Sequence, residues 1–137
     1  MALNATGAAS AASQPPAASE AFPWKLWIYT NYDCNLRCTY CVAKSSPNAP
    51  RRAIGLANAR QLVDEAVALG FAHIFFTGGE PFILPDIYAM LAHSSARVPT
   101  TVLTNAMLLR GARLEKLIAM DASELGRRGL ARKVWAA

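Results

Sequence analysis

Outside one eight-residue window this chain has no cysteine: Cys34, Cys38 and Cys41 are the whole complement. A disulfide framework spreads an even number of cysteines along the chain, so none is expected. Long apolar runs are also missing. No stretch approaches the roughly 18 to 20 uninterrupted apolar residues of a membrane helix, which excludes a membrane partner and reads as a soluble protein. Acidic residues are scarce, nine against fourteen Lys and Arg, for a net charge of +5. Arg127, Arg128, Arg132 and Lys133, near the C-terminus, supply four of the basic charges, and without them ten basic residues face nine acidic ones. Nucleic-acid binding needs a clustered basic face on the folded body, so a basic tail is no reason to expect nucleic acid.

Residues 1–22 lack charge almost entirely, Glu20 being the one charged side chain among nine alanines with Ser, Gln and Pro. That composition has neither the basic start of a secretory signal nor the arginines of a transit peptide, and it reads as a disordered leader. The reducing cytoplasm is the expected compartment, where clustered thiols serve as metal ligands or catalysts. With 53% hydrophobic and 17% charged residues in 137, the rest suits one globular domain.

What is present from residue 23 onward is a repeated strand-then-helix pattern. Residues 24–30 (WKLWIYT) form an aromatic and β-branched run of strand length that leads into the cysteines. Leu56, Ala59, Leu62, Val63, Ala66 and Val67 then recur at helical spacing, with Gly70 as the stop. Residues 73–77 (HIFFT) are a continuous apolar run, the pattern of a parallel strand buried on both faces, and Gly78 and Gly79 end it. Pro85 and Asp86 open a segment with Ile87, Met90 and Leu91 on one face. Residues 100–104 (TTVLT) predict a third strand ending at Asn105, and Leu114, Leu117 and Ile118 mark a third helix. Three alternations predict an α/β fold with a parallel sheet and right-handed connections. Each segment that carries chemistry follows a strand's C-terminal end, where such folds place their active sites.

The run Cys34-Asn35-Leu36-Arg37-Cys38-Thr39-Tyr40-Cys41 has the spacing C-x3-C-x2-C. Three thiolates this close can hold one corner of an inorganic cluster but cannot close a four-ligand site. Iron–sulfur clusters are usually held by four cysteines, so the missing fourth leaves one iron of a [4Fe–4S] cluster open. An open metal position is a reactive one. The alternative is zinc, with His73 or His93 as fourth ligand. His73 begins a strand at the end far from the loop, and His93 is expected on the solvent side of its helix, so neither favours it.

These residues resemble the cluster-binding signature of the radical S-adenosylmethionine (radical SAM) superfamily. Cys34, Cys38 and Cys41 match its three ligands, and Tyr40 matches its aromatic position before the third cysteine. Gly78-Gly79-Glu80-Pro81 matches the family's GGEP motif on the same element, after the second strand. Thr104-Asn105-Ala106 resembles its T-N-G, with Ala106 in place of glycine. The resemblance implies a [4Fe–4S] cluster whose open iron is chelated by the amino and carboxylate groups of S-adenosylmethionine (SAM). It implies that Gly78, Gly79, Glu80 and Pro81 approach that amino group, with Gly79 leaving room for backbone, that Tyr40 lies near the adenine, and that Asn105 sits beside the cofactor. The chemistry implied is reductive cleavage of SAM to a 5′-deoxyadenosyl radical, fed by an electron donor such as flavodoxin or ferredoxin and directed at a small-molecule or peptide substrate.

The resemblance covers about residues 24–120, three βα units where the family's partial barrel has six. The basic stretch 122–137 resembles none of the later units. The expectation is a truncated reading of a longer enzyme, inactive or slow alone; the alternative is a non-catalytic cluster-binding module, or a subunit that a partner chain completes.

Overall fold

The computed structural model describes residues 24–120. The expected leader (1–22) and basic tail (122–137) lie outside the described residues. Three strands, β1 (Lys25–Tyr29), β2 (His73–Thr77) and β3 (Thr100–Val102), alternate with three helices, α1 (Leu56–Ala68), α2 (Ile87–Ser95) and α3 (Ala112–Met120), and a single 3-10 turn (Pro81–Ile83) follows β2. The sheet has the order β1-β2-β3 with both pairs parallel. The α/β class and parallel sheet expected from the sequence are what the chain adopts, and they fit part of a (βα) barrel. Because all strands run the same way, the segments after β1, β2 and β3 gather at one edge.

The register aligns Ile28 with Phe76 and Phe76 with Val102. These side chains form one buried cluster with Ala59, Val63 and Ala66 of α1 and Ile87, Met90 and Leu91 of α2. Helical spacing puts the first three on one stripe of α1, and Gly70, at φ +83°, turns the chain where a residue with a Cβ would be strained. Leu62, in the same apolar pattern, is 39% exposed and outside the core.

The second face of the sheet differs from expectation. The apolar run of β2 predicts burial on both faces, yet Ile74 and Phe76 are sealed while His73, Phe75 and Thr77 are only half-buried. Three strands cannot close on themselves, so this face is covered mainly by its own rings: Trp27 stacks on Phe75 and Phe75 on His73, each at 4.4 Å between centroids. His73 Nε2 lies 2.8 Å from Thr101 Oγ1, and burial, with Lys25 adding to it, holds its imidazole below the usual 6.5. His93 also departs from expectation. It is not on the solvent side but tucked between α1 and α2, its side chain 14% exposed and its Nε2 2.8 Å from Asp64 Oδ1, which Arg97 Nε also meets at 2.9 Å.

β3 is shorter than the run 100–104. The Leu103 amide still donates to the Phe76 carbonyl at 2.9 Å, but Thr104 and Asn105 then turn from the ladder toward Glu80. α3 has no buried residue; Leu117 packs in part while Leu114 and Ile118 face outward.

Candidate metal and cofactor site

The loop between β1 and α1 carries all three thiols, and its two arms are laced together. An isolated bridge pairs Asn31 with Ala53, another pairs Asp33 with Ser46, and the Cys34 amide donates to the Ser46 carbonyl at 3.2 Å. Within the loop Cys41 N donates to Cys38 O (3.2 Å) and Lys44 N to Cys41 O (3.0 Å), so two successive turns present Cys38 and Cys41. Ser45 N and Leu36 N each lie 3.4 Å from a cysteine sulfur, those of Cys41 and Cys34 respectively. All three cysteines are free and half-buried.

Burial pushes the Cys34 thiol above its ordinary value; the Leu36 amide opposes this, and the charges of Glu80, Cys38 and Cys41 add to it. A bound metal cation reverses that balance, because it stabilises the thiolate directly. Among the described residues no three His, Cys, Asp or Glu side chains converge tightly enough to hold an ion as they stand. The donor set nonetheless fits a [4Fe–4S] cluster with one open iron: three soft thiols on one loop and no fourth in the chain. His73 sits at the opposite end of its strand and His93 is engaged by Asp64, so neither completes a zinc site here.

The segment after β2 lies against the start of this loop. Gly79 N donates to Asn31 O (2.8 Å) and Glu80 N to Asp33 O (3.0 Å), continuing the strand pairing past its end. Side chains at the two glycines would collide with backbone. A Cβ on Gly78, which sits at φ +135°, would run into the Asn31 carbonyl oxygen, and one on Gly79 into that of Asp33. The sequence predicts that these glycines make room for a cofactor, and the structure shows that they first make room for the cysteine loop.

Glu80 is likewise engaged within the chain. Its side chain is sealed from solvent, Oε1 accepting from Phe82 N at 3.0 Å and Thr104 Oγ1 at 2.7 Å, and Oε2 from Asn105 N at 2.9 Å. The carboxylate expected to reach a ligand's amino group thus ties the end of β2 to the end of β3. Pro81, at the first position of the 3-10 turn, is buried beside it. Asn105 faces the thiols, its Nδ2 2.9 Å from Asn35 Oδ1 and 3.7 Å from Cys34 Sγ, while its Oδ1 accepts from Met107 N. Tyr40 is 70% exposed beside Cys41. The structure therefore brings the cysteine loop, Gly78 to Pro81 and Asn105 to one edge, with Tyr40 extending into solvent.

Sequence reasoning missed two residues, Asn31 and Thr30, and gave Thr104 no role of its own within its motif. Asn31 is fully buried, and its Nδ2 reaches Asp33 O, Asp33 Oδ1 and Glu80 O at 2.9 to 3.2 Å. Thr30 sets its hydroxyl 2.8 Å from Asn31 Oδ1, and Thr104 is bound to Glu80. Their signal was polarity immediately after an apolar strand, where buried side chains must find partners.

A family model described as the radical SAM superfamily matches residues 28–126. GTP 3′,8-cyclase of Rhodococcus opacus is 39% identical over 102 residues, which cover 72% of this chain and 27% of that protein. PqqA peptide cyclase of Granulibacter bethesdensis is 33% identical over 100 residues, 70% of this chain and 26% of that protein. Among solved structures, Streptococcus suis SuiB bound to S-adenosylmethionine superposes with a TM-score of 0.60 at 29% identity, over 70% of this chain and 22% of that one; SuiB is also known bound to its precursor peptide SuiA. The chain spans about a quarter of the length of the curated relatives it matches. The matched span takes in the end of β1, all of β2 and β3, and every loop gathered at their shared edge, and on that ground the chain belongs to the radical SAM superfamily.

Proposed function

We propose that Cys34, Cys38 and Cys41 ligate a [4Fe–4S] cluster and that SAM binds against it along the edge formed by Gly78, Gly79, Glu80, Pro81 and Asn105, with Tyr40 beside the adenine. The observation that carries this reading is the meeting of a three-thiol loop, lacking a fourth cysteine, with the segments after β2 and β3 at one sheet edge. In this family the cluster supplies one-electron reductive cleavage of SAM, which generates a radical for hydrogen abstraction. The chain's own part is to hold and orient: Glu80 and Asn31 fix the three loops relative to one another, and the Asn105 amide faces the Cys34 sulfur. A peptide or small-molecule substrate is proposed from the peptide and nucleotide cyclases among its relatives, with an electron-carrier protein as donor and the cytoplasm as setting for the free thiols. Substrate walls beyond this open sheet would come from chain or partner outside residues 24–120. No helix among the described residues is long and apolar enough to cross a membrane.

Anaerobic reconstitution with iron and sulfide tests this. Close to four irons per chain are expected, and Cys38→Ala should abolish loading. Stoichiometric zinc with no iron uptake contradicts it.

A further inference from the structure

We propose that the outer surface of the cysteine loop is the docking site for an acidic electron-carrier protein, with Arg37, Lys44, Arg51 and Arg52 as its cationic rim and Val42 as its apolar tip. The proposal rests on the cluster reading above and adds where the donor lands. Residues 34–63 contain no Asp or Glu, and the two acids that border the loop, Asp33 and Glu80, are buried. All four basic side chains are exposed, and none pairs with a carboxylate among the described residues. The loop's lacing brings them to one structure. Arg37 Nη2 reaches Asn48 Oδ1 at 3.5 Å across the two arms, Lys44 precedes the Ser46 that meets Asp33, and Arg51 and Arg52 precede the Ala53 that meets Asn31.

Concentrating positive charge this way costs stability through repulsion, and no carboxylate among the described residues pairs with it. A partner of opposite charge would. Val42, beside Cys41, is 90% exposed, the most exposed large apolar side chain among the described residues. An apolar contact within a charged rim is the anatomy of a transient protein interface, in which the rim governs encounter rate and salt dependence. The position selects the partner's kind, since electron transfer falls steeply with distance, Arg37 lies between Cys34 and Cys38 in the chain, and Lys44 follows Cys41 by three residues. One electron leaves the reduced carrier, oxidising it by one, and enters the cluster, reducing it by one. Nucleic acid would also answer positive charge, but it has no use for placement around a redox centre.

The test titrates FMN-loaded flavodoxin, an acidic carrier, into the full 137-residue chain, both iron-loaded and metal-free, at low and high salt. Binding is expected at low salt and should weaken by about tenfold or more in the variant Arg37→Glu/Lys44→Glu/Arg51→Glu/Arg52→Glu. Arg113→Glu, on α3, should bind as the parent does. If circular dichroism shows the fourfold variant unfolded, Arg51→Ser/Arg52→Ser is read in its place, with a loss of about threefold expected. Binding unchanged by these substitutions overturns the proposal, as does a single-stranded DNA oligomer that binds more tightly than flavodoxin and displaces it. Iron content, and reduction by dithionite, are measured in parallel. Failed loading with charge-sensitive flavodoxin binding retained would sink the cluster reading alone, whereas full loading with charge-insensitive binding would sink the docking surface alone.

Discussion

Glu80 is the residue on which the edge depends. A carboxylate sealed from water is tolerated only when its oxygens are satisfied, and here Phe82 N, Thr104 Oγ1 and Asn105 N supply three donors. Glu80→Gln keeps the shape but turns an NH2 toward one of those donors, so a loss of about 2–3 kcal/mol is expected in denaturant unfolding. If the carboxylate were held free for a ligand, the substitution would be nearly neutral for stability. Ala106 gives the opposite sign. It stands where the family's pattern has glycine, and it adopts φ +61°, a region that costs a residue with a Cβ about 1–2 kcal/mol. The extra freedom glycine gives the unfolded chain offsets about half of that. Ala106→Gly should therefore raise the melting temperature by a few degrees; no change, or a fall, would contradict the strain argument. The motif positions were legible from sequence, but their roles were less so. Gly79 reads as room for a cofactor, and only the packed Asp33 carbonyl reveals that the glycine lets two loops touch.

Strands and helices were read from sequence mainly through periodicity, which is reliable where an element faces a core on one side. The Ala59, Val63, Ala66 stripe of α1 was placed correctly for that reason, whereas β2 was placed from its continuous apolar run although only one of its faces is sealed. Periodicity does not say whether the opposite side finds a partner. Leu114 and Ile118 of α3 look like core on paper and stand exposed, while Phe76 is sealed at the middle of the sheet. Phe76→Ala should cost about 3–5 kcal/mol, and Leu114→Ala about 0.5 kcal/mol or less. Comparable losses at the two positions would mean that α3 packs more deeply than its exposure shows. The end of β3 was misjudged because Thr104 is as good a strand residue as Thr100. What removes it from the ladder is a hydrogen bond to a carboxylate 24 positions earlier, which no local pattern records.

At the scale of the whole molecule, one edge of a parallel sheet collects a thiol loop, a glycine-rich loop and an asparagine, while the face that carries Trp27, Tyr29 and Phe75 stays partly open. The order of these segments was legible because chemistry-bearing residues follow strands in α/β folds. The polar lattice of Thr30, Asn31, Asp33 and Glu80 beneath them was not, since it joins residues nearly fifty positions apart. The most direct measurement is the EPR spectrum of the reconstituted, reduced chain before and after SAM is added under anaerobic conditions. A cluster held by Cys34, Cys38 and Cys41 with one open iron should show a reduced four-iron signal whose g values shift when SAM binds. A loaded, folded chain whose spectrum is unchanged by SAM would contradict the assignment of this edge as a SAM site.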